Sequence, residues 1–194
     1  SGGTFTKGGT LTLDGTTQNV SDANATTQDL GDVATSGTTA VTMTNNLKVT
    51  SLNIASGTSF NLGTTNYTLT ITGTGTPLTA TGTFSKGTGS TVVYTNGTSA
   101  TVAAVNYQNL TLTPSSGTPA YTLDTGTTTV SGVLTNNASS TLAIGSNTLN
   151  VTGNATNSGT ITISTGTLDI DGNFTAGTLT ASGAAVINIA GNWS

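Results

Sequence analysis

Seven carboxylates and three lysines are the only charged side chains in this sequence of 194 residues. The acids are all Asp, and His, Cys, Glu and Arg are absent. Two groups of Asp stand close enough to act together. Asp169 and Asp171 are two apart, so on a strand their side chains share one face, and Asp14 is expected nearby on a following coil or subunit. Asp22, Asp29 and Asp32 fall within one stretch. Clustered carboxylates can hold Ca²⁺, which takes about six to eight oxygen ligands. Neither spacing matches an established calcium loop, including the Gly/Asp nonapeptide repeat. Paired carboxylates can also hydrolyse glycosides, but that needs a proton donor of raised pKa and groups to position the sugar. With no His, no Arg and one Trp, those groups are missing, and no Ser or Thr has a His to activate it. The chain is read as having no catalytic residue, no cofactor, no metal site and no enzymatic activity.

The remaining chemistry is that of repeated hydroxyls and amides. Thr160/Thr162 and Thr178/Thr180 recur at nearly one phase, as do Thr4/Thr6. Rows of this kind on a flat strand face suit a regular surface such as ice or crystalline polysaccharide. Elsewhere the phase wanders, and Thr is in any case a favourable exposed strand residue. Gly-Asn returns at an even interval, at Gly153-Asn154, Gly172-Asn173 and Gly191-Asn192. A fixed period of this size marks a solenoid, in which each repeat is one coil stacked on the last. Asn at equivalent corners can form a ladder of side-chain amide bonds along the axis, which names Asn154, Asn173 and Asn192. The following residues, Ala155, Phe174 and Trp193, are expected to point inward, and Trp193 also to seal a junction with a following unit.

Within each coil the apolar residues alternate as in a strand with one buried face. Ile161 and Ile163 lie over Leu179, and Leu168 and Ile170 over Ile187 and Ile189. Strand spacing sets a rise of about 4.8 Å per coil. The coil that begins at Gly191-Asn192-Trp193 is cut short, and the chain start supplies what it lacks. Joined to Ser194, the first residues place Thr4-Phe5-Thr6 over Thr178-Leu179-Thr180 and Thr10-Leu11-Thr12-Leu13 over Thr167-Leu168-Asp169-Ile170. The expected assembly interface is therefore Thr4, Phe5, Thr6, Leu11 and Leu13 against Gly191, Asn192 and Trp193.

Composition agrees with this architecture. Charged residues make up 5% of the chain, against roughly 25% ordinarily. About a quarter is Thr, good helix formers are scarce and β-branched residues abundant. With three Lys, nothing basic is available for nucleic acid. No apolar run approaches the roughly 20 residues of a membrane span. The absence of Cys suits an exported protein, and a start at Ser1 rather than Met suits a processed form or a segment of something larger.

Along the chain, residues 1–80 read as a first block with an irregular segment at 16–39. Residues 81–153 read as a second block, because Gly82-Thr83-Phe84-Ser85-Lys86-Gly87 echoes Gly3-Thr4-Phe5-Thr6-Lys7-Gly8. The stretch 141–153 similarly echoes 61–73, and 154–194 adds further coils. The whole is expected to be one all-β domain, a parallel β-helix of about ten coils of roughly 19 residues. Asn-x-Ser/Thr sites occur at Asn19, Asn24, Asn66, Asn96 and Asn109, among others.

The stretches GGTFTKGGTLTLDG and GTFSKGTGSTVVYTNGTSATVAAVNYQNLTLT resemble the Thr/Gly/Asn-rich strand repeats of large bacterial surface proteins. In style these are similar to filamentous-haemagglutinin and autotransporter-type adhesins. The resemblance covers most of the chain, 16–39 least, and implies a right-handed β-helix at the bacterial cell surface. It carries over no functional residues. The expected function is a structural unit of an extracellular fibre whose partner is itself, stacked head to tail. The alternative is an adhesin or surface-binding module for host or environmental glycans, or for ice.

Overall fold

The computed structural model describes residues 6–194. Thr4 and Phe5 lie outside the described residues. Every regular element is a strand and every named pairing is parallel. The chain winds through about nine turns, spaced about 21 residues apart. The expected coil length holds at the C-terminal end, where Ala155, Phe174 and Trp193 follow one another in register. Several earlier coils are longer because their corners hold more residues: Leu52 pairs with Leu78, and Leu110 with Leu134. Ten coils thereby become about nine.

Each turn crosses three faces. The first face runs from Thr10–Leu13 through Asp32–Thr35, Ser51–Ile54 and Leu78–Ala80. It continues through Ala100–Val102, Ala120–Leu123 and Thr141–Gly145 to residues 160–163 and 178–181. The second face starts at Thr17–Val20 and ends at Val186–Ile189. The third starts at Asp29, bridged to Lys48, and ends at Trp193. Alternate residues point inward, so most interior rungs read intermediate-buried-intermediate-buried. The overlay expected at the C-terminal end is the observed one. Ile161 pairs with Leu179, Leu168 with Ile187, and Ile170 with Ile189.

Residues 16–39 differ from the expected irregular excursion. They contain Thr17–Val20 on the second face and Asp32–Thr35 on the first, both paired within the solenoid. Only the third-face crossing lacks a strand, and side chains shape it. The Asp22 carboxylate accepts the Asn24 N–H at 3.0 Å and also that of Gln28, which holds its pKa below the ordinary value. Asp29 is partly desolvated, which acts to raise its pKa. The Gly31 N–H, the Lys7 ammonium at 3.2 Å and the Thr72 hydroxyl prevail, and the net shift is downward.

The two sequence echoes do not mark equivalent strands. Thr68–Ile71 lies on the third face while its echo, Thr148–Val151, lies on the second. After the two echoed Gly-Thr-Phe stretches, Thr10–Leu13 lies on the first face and Thr91–Tyr94 on the third. Strands of different faces have the same alternation, so a matching pattern does not identify the face.

Near the middle the core changes character. The first- and second-face sheets are interrupted after Leu78–Ala80 and Thr83–Ser85. There Tyr94, Tyr107 and Tyr121 are fully buried, and Phe84 packs on Tyr107 with ring centroids 5.9 Å apart. The Tyr94 and Tyr107 hydroxyls lie 3.3 Å apart. Tyr107 donates to the Ala103 carbonyl at 3.0 Å, and the Ala103 N–H points to Tyr94 Oη at 3.4 Å. Tyrosine hydroxyls thus take over main-chain groups that a regular ladder would pair.

Burial pushes Tyr94 and Tyr121 up to about 12 and Tyr107 well above its ordinary value. Between about pH 10 and 12 the folded protein keeps protons that the unfolded chain releases, so stability is complete below that range and falls as pH rises through it. A urea titration should show a flat midpoint from about pH 7 to 9.5 and a steep fall above about pH 10. A midpoint unchanged up to about pH 11.5 would contradict the buried, protonated state of these hydroxyls.

Candidate functional site

The Gly-Asn corners sit between the second and third faces. They work differently from the expected side-chain ladder. The Asn154 carbonyl Oδ1 accepts the backbone N–H of Asn173 at 2.9 Å, and Asn173 Oδ1 accepts that of Asn192 at 2.9 Å. Each amide therefore caps the main chain of the next coil. The same position in earlier coils repeats the contact: Asn46 Oδ1 accepts the Thr68 N–H at 2.8 Å, and Asn109 Oδ1 that of Val133 at 2.9 Å. Sequence reading missed these two because the coils around them are longer than those of the C-terminal end and their Asn is not preceded by Gly.

Gly is required where the corners stack. A Cβ on Gly153, Gly172 or Gly191 would run into the carbonyl oxygen of Gly132, Gly153 or Gly172 respectively, closer than real Cβ contacts allow. One coil's main chain thus rests directly on the next.

A side-chain amide ladder does exist, but inside the core. Asn136 Nδ2 donates to Asn157 Oδ1 at 2.8 Å, and Asn157 Nδ2 to the Thr178 carbonyl at 2.9 Å. Ser140 Oγ donates to Asn136 Oδ1 at 2.6 Å. The two Asn pair in register and are buried. Their separation is wider than the Gly-Asn interval, so they fall outside the one periodic Asn signal that the sequence displays.

The carboxylates do not converge. Asp169 stands on the outer side of the second face between Asn150 and Asn188. Asp14 follows the first described strand at the opposite end of the chain's axis. Among the described residues no three potential metal-binding side chains of His, Cys, Asp or Glu gather. A groove of about 340 Å³ opens where the first face is interrupted, lined by Leu78, Ala80, Ala103, Ala104, Val105 and Asp124 among others. Its lining includes one carboxylate, whereas glycoside hydrolysis uses two. Of the Thr rows, Thr160/Thr162 and Thr178/Thr180 are in register. A second row, Thr111, Thr135, Thr156 and Thr175, runs up the third face. Asn96 is buried, so the folded chain does not present that glycosylation sequence. No helix of the described residues is long and apolar enough to cross a membrane.

The arrangement that could do something is the pair of end faces. Inward-pointing residues bond toward the C-terminal end: the Phe174 N–H donates to the Asn192 carbonyl, and its carbonyl accepts the Ser194 N–H. Outward-pointing residues bond toward the N-terminal end, as the Val186 N–H does to Gly166. Among the described residues, the inward-pointing Leu179, Ile187, Ile189 and Trp193 and the outward-pointing Thr10, Thr12, Thr17 and Asn19 therefore have no ladder partner on the side away from the paired strand. Of the expected interface residues, Leu11 and Leu13 are half-buried on the first rung, and Gly191 and Asn192 occupy the final corner. Trp193 packs on Phe174 with ring centroids 5.5 Å apart and remains 57% exposed. Val186, at the start of the last second-face strand, is 46% exposed.

Three substitutions test the corner and core contacts. Gly172→Ala should cost about 1–3 kcal/mol of unfolding free energy through overpacking, while Gly8→Ala, with open space around it, should stay within about 0.5 kcal/mol. Asn157→Ala should cost about 1–3 kcal/mol by leaving buried partners unpaired. Urea unfolding of the three variants reads all of these values, and equal effects of the two Gly changes would contradict the corner contact.

No protein family, no curated protein and no solved structure matches this chain.

Proposed function

We propose that this chain is a structural unit of an extracellular fibre, built by stacking solenoid units head to tail, either as separate subunits or as successive repeats of one polypeptide. The observation that carries the reading is the state of the last coil. Residues 172–194 contain no charged side chain, and among the described residues the strands Phe174–Ala181 and Val186–Ile189 each pair on one side only. Natural sheets guard such edges with charge, Pro or a covering element, because an open edge templates further strands. Here the edge carries exposed Trp193 and Val186 instead. At the other end, the main-chain groups of Thr10, Thr12, Thr17 and Asn19 point the opposite way along the axis. Contacts between unlike ends do not close on themselves and so generate filaments. Rigidity comes from the stacked corners, and the absence of Cys suits an exported material.

Negative-stain electron microscopy of the purified chain, with its mass under denaturing conditions, tests this. The expected result is long filaments that dissociate in denaturant to the 19.0 kDa chain. Isolated rods roughly 4 nm long, the length of about nine coils at about 4.8 Å each, would overturn the reading.

A further inference from the structure

The coils are not joined equally along the axis. We infer that the solenoid consists of two cooperative units, one ending at Thr83–Ser85 and the other beginning at Thr91–Tyr94, and that each unfolds without the other. They do so within a single chain, whether or not chains stack.

On either side of this seam, ladders on three faces hold neighbouring coils together. Below it, Ser51–Ile54 pairs with Leu78–Ala80, Ser59–Asn61 with Thr83–Ser85, and Leu47–Val49 with Thr68–Ile71. Above it, Ala120–Leu123 pairs with Thr141–Gly145, Thr127–Val130 with Thr148–Val151, and Leu134–Asn136 with residues 155–157. At the seam one ladder of the three continues, between Thr68–Ile71 and Thr91–Tyr94. The first face keeps a single bridge, from Gly75 to Ala100. Among the described residues the second face keeps none. Thr83–Ser85 pairs only with Ser59–Asn61, and Asn106–Tyr107 only with Thr129 and Val130.

The single bridge shows why the first-face ladder does not resume at once. With Gly75 at Ala100, Leu78 falls opposite Ala103 rather than opposite a strand. Ala103 already has other partners. Its N–H points to Tyr94 Oη at 3.4 Å, and its carbonyl accepts the Val105 N–H at 2.9 Å and the Tyr107 hydroxyl at 3.0 Å. Leu78 and Ala80 are therefore left with no ladder partner on that side, although Leu78 is fully buried. Buried main chain without a partner weakens the contact that buries it. The groove of about 340 Å³ lies at the same place.

Side chains stand in for the two missing ladders. Phe84, half-buried, packs on Tyr107 with ring centroids 5.9 Å apart, and the exposed Lys86 ammonium donates to Ser131 Oγ. In stacked-coil proteins stability is a sum of terms within coils and terms between neighbours. One weak neighbour term uncouples the coils on its two sides, and each side then opens as a unit.

Native-state hydrogen exchange of the whole chain, read by mass spectrometry, tests this with two matched variants. Ile54 and Ile144 are both fully buried on the first face, one on each side of the seam. Ile54→Ala should speed exchange at least about tenfold in Asp32–Thr35, Ala40–Met43 and Ser59–Asn61, and leave Thr141–Gly145, Thr148–Val151 and Thr167–Ile170 within about twofold. Ile144→Ala should do the reverse. Effects that cross the seam undiminished, or that fade evenly from coil to coil with no step there, would overturn the two-unit division. The unsubstituted chain gives a second reading that stands even if a variant does not fold. In rising urea its two sets of amides should follow two separate dependences. One dependence shared by both sets would equally overturn the division.

Discussion

One constraint runs through the whole molecule: the main chain of each coil bonds to the coil below and the coil above at the fixed spacing of a parallel ladder. Every residue therefore meets its equivalent one turn away, and a residue type is tolerated according to how well it stacks on whatever occupies that position. At the second-to-third corner the stacked partners are glycines, because main chain rests on main chain with no room for a Cβ. One residue further on, Asn is used because its side-chain carbonyl reaches the N–H that the corner would leave unpaired. These are local answers to a repeated question, which is why they recur at the repeat period.

The ladder is not uniform, and its interruption near the middle shows how the core copes. The cross-section there must accommodate Tyr94, Tyr107 and Tyr121, all fully buried. Their hydroxyls cannot be buried without partners. They find them in each other, in Ala103 and in the Asn96 carbonyl. The cost is an opening between Leu78–Ala80 and the next rung. Within the next two coils, Asn136 and Asn157 solve the same problem with paired amides.

The ladder also gives the solenoid a direction. Inward residues bond one way along the axis and outward residues the other. Side chains also tie one coil to the next, as Lys7 does through Asp29 and Thr50.

What was legible in the sequence follows from the same physics. Alternation along each strand and the even return of Gly-Asn were sufficient for a parallel solenoid, and for the pairing of Ile161 with Leu179 and of Leu168 with Ile187. Both signals are local, one set by side-chain direction and the other by a corner that excludes Cβ. Tertiary structure alone decided which face each strand occupies. Three faces share one alternation, so the echo of 61–73 at 141–153 matched strands that lie on different sides of the coil. It also set the number of coils, because corner lengths vary without disturbing the strands. The buried Asn136–Asn157 pair and the tyrosine cluster were equally out of reach of sequence, since their partners are defined by stacking across coils of unequal length.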